Sequence, residues 1–217
     1  MEYVDILGAS AATLSLIFEI LAGQQPSKKY VIRLIKNTQH VLEYPFDIPE
    51  VHYEILEDVN VENLHHNLFL GVYKPDTKRQ VYQYFQKKYN FQDGQFINCI
   101  HSNAAIAETV SLGNGIQINP MSTVAPYAQL GSFVSINRQV SIGHHTVIDD
   151  FCTINPGVHI AGHCLIGEGV TVGMGALVLD GKKIGKNSIV AAGALVTKDV
   201  PDNVIVMGSP AKIVKNI

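Results

Sequence analysis

Residues 130–166 read LGSFVSINRQVSIGHHTVIDDFCTINPGVHIAGHCLI. An aliphatic residue stands at every sixth position: Leu130, Ile136, Ile142, Ile148, Ile154, Ile160 and Ile166. The same phase runs back through Val124, Ile118 and Leu112 to Ile106. It runs forward through Val172, Val178, Ile184 and Val190 to Val196. Helices repeat every ~3.6 residues and strands every ~2, so neither has this period. A repeat architecture is required.

The geometry follows from the period. Each hexad supplies one short strand and one turn, and three hexads close a triangular coil of roughly eighteen residues. The sixth-position aliphatics point inward and stack. The residue four places after each shares the interior, as at Val134, Val140, Thr146, Cys152, Val158 and Cys164. The residue directly after each aliphatic is usually Gly, Asn, Asp or Ala, which suits a tight turn with positive φ. About five coils of a left-handed parallel β-helix are expected over residues 95–217.

Residues 1–94 have another character. Tyr3–Leu7 reads as a strand ended by Gly8-Ala9-Ser10. Residues 11–22 carry a helical apolar face of Leu14, Ile17, Phe18 and Leu21. Strands are expected at Tyr30–Ile35 and Leu68–Val72, and a helix over Asp76–Tyr89 after Pro75. Strands alternating with helices predict an α/β unit, a small parallel sheet of Rossmann-like form.

The chain has 217 residues, 47% of them hydrophobic and 16% charged, with a net charge of −3. That composition can fill a core and gives no basis for a nucleic-acid or membrane-surface partner. No signal peptide or membrane-spanning run is evident. Three scattered cysteines are too few for a disulfide framework, so a cytoplasmic protein is expected.

Stacking places residues eighteen apart in columns. Asn119, Asn137 and Asn155 form one column, which reads as a turn-stabilising ladder or as a ladder with a ligand-binding member. His144 and His145 fall in one outward turn, His163 stacks on His145, and His159 lies above Ser141. Four histidines so close together are compatible with solvated turns, with metal ligation or with acid–base catalysis.

The run from Ser135 to Phe151 resembles the active-site coil of bacterial nucleotide-aminosugar N-acetyltransferases, a group related to sialic-acid O-acetyltransferases. Gly8-Ala9-Ser10 and the ending Met207-Gly-Ser-Pro-Ala-Lys212 are similar to the same family. The resemblance implies a hexapeptide-repeat acyltransferase. It would move acetyl from acetyl-CoA to the 4-amino group of a UDP- or dTDP-linked 4-amino-4,6-dideoxyhexose, in lipopolysaccharide or capsule biosynthesis. It also implies a homotrimer with active sites between subunits, and no metal.

By position, His144 takes the place of the family's base. The family follows that histidine with an acid, whereas this chain has His145, so either Asp149, Asp150 or a neighbouring subunit supplies the acid, or His144 works without a carboxylate, or the base role has changed. Asn137 matches an asparagine beside the sugar, and Gly162 a backbone amide aimed at the thioester. Thr153 replaces a second histidine near acetyl-CoA.

For the nucleotide sugar the resemblance implies Gly8, Ser10, Ala11, Lys36, Asn37, Tyr73 and Lys78, the last two near the diphosphate. For acetyl-CoA, Gly173, Met174, Gly175, Ala192 and Gly193 would border the pantetheine groove, with Lys198 and Lys212 near phosphates. A cysteine acyl-enzyme is not expected, since Cys152 and Cys164 point inward. The alternatives are a sugar O-acetyltransferase, a zinc enzyme like the β-helical carbonic anhydrases, and a non-catalytic scaffold.

Overall fold

The structure is a computed structural model that describes residues 2–8, 11–24, 30–35, 51–56 and 67–217. Four parallel strands form an N-terminal sheet: β1 (Glu2–Leu7), β2 (Tyr30–Ile35), β3 (Val51–Leu56) and β4 (Leu68–Leu70), in the order β3-β2-β1-β4. Helix α1 (Ala11–Gln24) buries Leu14, Ile17, Phe18 and Leu21 against Val4, Ile6 and Ile32, as the apolar spacing predicts. Asp5 and Arg33 are register partners on β1 and β2, and Arg33 holds the buried Asp5 with two hydrogen bonds of 2.6 Å. Helix α2 (Pro75–Tyr89) starts on a proline, whose missing N–H costs nothing in the first turn. It ends on Asn90 in the left-handed conformation. The fourth strand is shorter than expected, and β3 was not legible. No helix among the described residues is long and apolar enough to cross a membrane.

From Cys99 onward the chain is a parallel β-solenoid of left-handed β-helix type. Its two-residue strands pair with those eighteen residues on, as Ser135 with Thr153 and Ile136 with Ile154. Three long sheets result, and the coils number about six rather than five, because strands at both ends, Cys99–Ile100 and Val204–Met207, extend the sixteen hexads to eighteen strands. Fourteen of the sixteen sixth-position aliphatics are buried, and Ile106 and Leu112 pack partly buried against the first coils. Polar residues in the second interior position find partners in the next coil. Ser122 Oγ donates to Asn137 O, Thr146 Oγ1 to Ala161 O and Cys152 Sγ to Gly167 O, each fifteen residues on. A buried hydroxyl without such an acceptor would cost about 1–3 kcal/mol.

The turns correct one expectation. Positive φ occurs three residues after the aliphatics from Leu112 to Val190, not one: Gly115, Met121, Tyr127, Phe133, Gln139, His145, Phe151, Gly157 and His163 begin an unbroken series that runs to Gly193. The residue directly after the aliphatic is small for a different reason. A Cβ on Gly143 would lie 2.4 Å from Ala161 C in the coil above, and one on Gly173 would lie 2.5 Å from Ala192 N. Close backbone stacking excludes a side chain at these two glycines, whereas Asn119, Asn137 and Asn155 carry one at the same place in their hexads.

The left-handed positions define the solenoid's three corners. At one, Phe133 and Phe151 stack with centroids 5.0 Å apart and pack with Tyr82 of α2. At another stand Gln139, Gly157, Gly175 and Gly193. The third carries Tyr127, His145 and His163.

Candidate active site

The histidine corner is built by register. Strand β12 (Ser141–Ile142) leads into His144 and His145, and β15 (His159–Ile160) leads into His163 one coil on. His163 N donates to His144 O at 2.9 Å, which locks the two turns together. The His145 and His163 rings stack at 5.0 Å with an interplanar angle of 19°, and Tyr127 lies 4.9 Å below His145. His144 stands nearly perpendicular to both other rings. All three histidines are exposed, and the Nδ1 atoms of His144 and His145 are 3.1 Å apart.

The opposite edge of His144 lies over Gly162. A Cβ there would fall 2.9 Å from His144 Nε2 and 3.0 Å from Asp180 Oδ1. His144, Gly162 and Asp180 are successive members of one column, which the register of β12, β15 and β18 (Leu177–Val178) maintains. Asp180 is thus the carboxylate bordering the His144 ring, a residue that sequence reasoning missed. The eighteen-residue spacing already applied to the histidines would have found it. Asp149 and Asp150, the acids expected to serve His144, belong to a different corner. Asp150 Oδ1 accepts from Ser132 N at 2.7 Å, and both acids border a cavity of about 390 Å³ on the five-stranded face.

Gly162 has no room for a side chain. Gly162→Ala should push the His144 ring aside while leaving the coil folded. We expect kcat to fall by about tenfold to 10²-fold, with an unchanged circular-dichroism spectrum. Normal kinetics would show that the ring position is immaterial.

The structure relocates several expected binding residues to the junction between α2 and the solenoid. Lys78, expected near a diphosphate, is buried. Its Nζ donates to Phe133 O at 2.6 Å, Cys152 O at 3.0 Å and Ser135 Oγ at 3.2 Å, which uses all three ammonium protons. Burial pushes its pKa down to about 7. Thr153, expected near acetyl-CoA, is also buried and donates to Tyr73 O at 2.8 Å. Tyr73 in turn accepts from Asn137 Nδ2 at 2.9 Å, and its burial raises the phenol to about 12. Asn137 Oδ1 accepts from Arg138 N and Asn119 Nδ2, and Asn155 Nδ2 donates to Val172 O. Asn119 and Asn137 are therefore hydrogen-bonded rungs, Asn155 bonds the backbone of the next coil instead, and Asn137 touches the N-terminal unit through Tyr73. Within one chain Asn137 and the histidines lie on different corners.

Of the remaining expected positions, Ser10, Lys36 and Asn37 lie outside the described residues. Gly8 is buried at φ 71° beside Val72 and Val81, and the backbone of Ala11 begins α1. Met174, Gly175, Ala192 and Gly193 come together, exposed, at the glycine corner. Gly173 is part of the same turn but faces the next coil. Lys198 and Lys212 border a shared cavity of about 330 Å³ beside Pro210. Cys99, Cys152 and Cys164 are buried free thiols whose pKa burial raises, to about 12 for the first two. Such thiols are poor nucleophiles.

Residues 145–180 match the family model described as bacterial transferase hexapeptide, six repeats. No sequence match to a curated protein was found. Among solved structures, the chain is similar to perosamine N-acetyltransferase from Caulobacter crescentus in complex with CoA and GDP-perosamine. The identity is 24% and the TM-score 0.79, with 100% of this chain and 98% of that one covered. It is also similar to the acetyltransferase domain of PglB from Neisseria gonorrhoeae with acetyl coenzyme A, at 21% identity and TM-score 0.81, covering 98% and 99% of the two chains. A third similar structure is WeeI from Acinetobacter baumannii, at 22% identity and TM-score 0.74, covering 99% and 100%. At these identities the likeness establishes the fold.

Proposed function

We propose that the chain is an acetyl-CoA-dependent N-acetyltransferase acting on the 4-amino group of a nucleotide-linked 4-amino-4,6-dideoxyhexose. The observation that carries this reading is the His144 corner, an exposed imidazole whose Nε2 edge meets Gly162 of the coil above, the same glycine that Asp180 Oδ1 faces. The similar C. crescentus protein is described with CoA and GDP-perosamine, so guanine joins uracil and thymine as a base to test. The strand order β3-β2-β1-β4 matches half of a dinucleotide-binding sheet, which supports residues 1–94 as the nucleotide-sugar unit and residues 95–217 as the acetyl-CoA unit.

The chemistry is direct transfer. The amine attacks the thioester carbonyl, and its excess proton passes to neutral His144. The N–H of Gly162 has no hydrogen-bond partner among the described residues and is available for the developing oxyanion. Asp180 Oδ1 and the His144 ring flank the same glycine, which places a carboxylate near the imidazole without a direct hydrogen bond between them. Asn137 and the histidines occupy separate corners of one chain, so a site using both is completed by a second copy, and we assign a trimer. Buried free thiols fit a reducing cytoplasm.

A thiol-release assay with acetyl-CoA and UDP-, dTDP- and GDP-linked 4-amino sugars tests the assignment. Release with one of them is expected, and none with any acceptor would sink it. Turnover confined to hydroxyl acceptors would make the enzyme an O-acetyltransferase. Asp180→Asn should lower kcat by roughly tenfold or more, with little change in the KM for acetyl-CoA. An equal kcat in this variant would remove Asp180 from the site.

A further inference from the structure

The corner holds three imidazoles where a general base needs one. One coordinating nitrogen from each of His144, His145 and His163 lies within 4.8 Å of the other two. The closest pair, the two Nδ1 atoms, is 3.1 Å apart. Neutral imidazole carries one N–H and one lone pair, so two facing nitrogens either form an N–H···N hydrogen bond or, both turned to acceptors, hold a cation between them. Tetrahedral zinc with bonds of about 2.0–2.1 Å spaces its nitrogen ligands about 3.3 Å apart. The first pair is already near that spacing, and the third nitrogen, within 4.8 Å of both, reaches it when one of the stacked, exposed rings turns out of its stack.

The rings are also held in place before any ion arrives. His145 and His163 sit at φ 57° and 55°, the left-handed position that Tyr127, Phe133, Gln139 and Phe151 also occupy. A β-carbon in that region costs roughly 1–2 kcal/mol. The backbone bond between the two turns and the stack on Tyr127 fix both rings on the same side. Asp180 Oδ1 and His144 Nε2 both face Gly162, so a carboxylate stands near this corner.

We propose that His144, His145 and His163 of one chain bind a single divalent ion of the zinc, nickel or copper class. The bound ion takes His144 out of acetyl transfer, so the site is inhibitory. Imidazole suits these ions, and three protein ligands leave a fourth position for water. The inhibition rests on the function proposed above; the binding does not.

Calorimetric titration of the untagged, metal-stripped protein with Zn²⁺ alone tests the site. One ion per chain is expected, with affinity at least tenfold weaker in His163→Gln and in His145→Gln and unchanged in His159→Gln. Absence of saturable binding would overturn the proposal, as would equal affinity in His163→Gln. Zinc should also abolish thiol release by the wild-type chain in step with its binding. Binding without inhibition would overturn the inhibitory role. Binding by a chain that transfers no acetyl group would uphold the site while removing the proposed function.

Discussion

Replacing His144 by alanine lowers kcat/KM for acetyl transfer by about 10²–10⁴, the range that a general base contributes. The loss should fall on kcat, because the proton is transferred only as the carbon–nitrogen bond forms. Little structural damage is expected, since the side chain is exposed and its backbone carbonyl continues to accept from His163 N. His159→Ala is the control. That ring is exposed on the strand preceding the corner, paired in register with Ser141, and is expected to leave the rate near normal. If His144→Ala retains most of its kcat/KM, the base lies elsewhere and the reading of the corner fails. His145→Ala measured in parallel shows whether the 3.1 Å partner of His144 assists it.

Lys78→Ala destabilises the protein by roughly 2–4 kcal/mol, through stranded acceptors and a cavity where the aliphatic stem lay. The three acceptors belong to two adjacent coils, so the side chain clamps α2 across them. Lys78→Met keeps the stem and removes the charge, so it should lose less than the alanine variant. Urea unfolding of both variants measures the difference. The pH dependence supplies a second signature. The folded-state pKa is pushed by burial down to about 7, whereas the group titrates at its ordinary 10.5 once exposed. Between those values the unfolded chain binds a proton that the folded chain releases. Stability therefore rises with pH across this window and is lost as the pH falls through about 7. Lys78→Met should flatten that slope. A slope identical to wild type would show that Lys78 is charged in both states.

The sixteen aliphatics at period six were sufficient to specify the solenoid, its inward ladders and its register. The same register brought His163 onto His145 and aligned the asparagine column before any coordinates were considered. In such a fold a neighbour in space is a residue eighteen places away, so contacts within the solenoid are written as a simple offset. Asp180 could have been found in that way, two coils above His144. The left-handed turn position could not, because residues as different as glycine, phenylalanine and histidine occupy it. Where a side chain stands there, packing decides, as with Phe133 and Phe151 against Tyr82.

Only the tertiary structure decided the roles of Lys78, Thr153 and Tyr73. Their partners lie 55 to 81 residues away, at separations set by how α2 docks and not by any repeat. A lysine at the start of a helix reads as solvated or as a phosphate ligand. It is neither, because docking turns its face of α2 onto two carbonyl oxygens and the Ser135 hydroxyl, where it is desolvated and all its protons are accepted. The sequence by itself determined the coil, its columns and the histidine corner, since periodic burial of aliphatics leaves one register. The junction that joins the N-terminal unit to that coil was decided by long-range packing, which has no period to read.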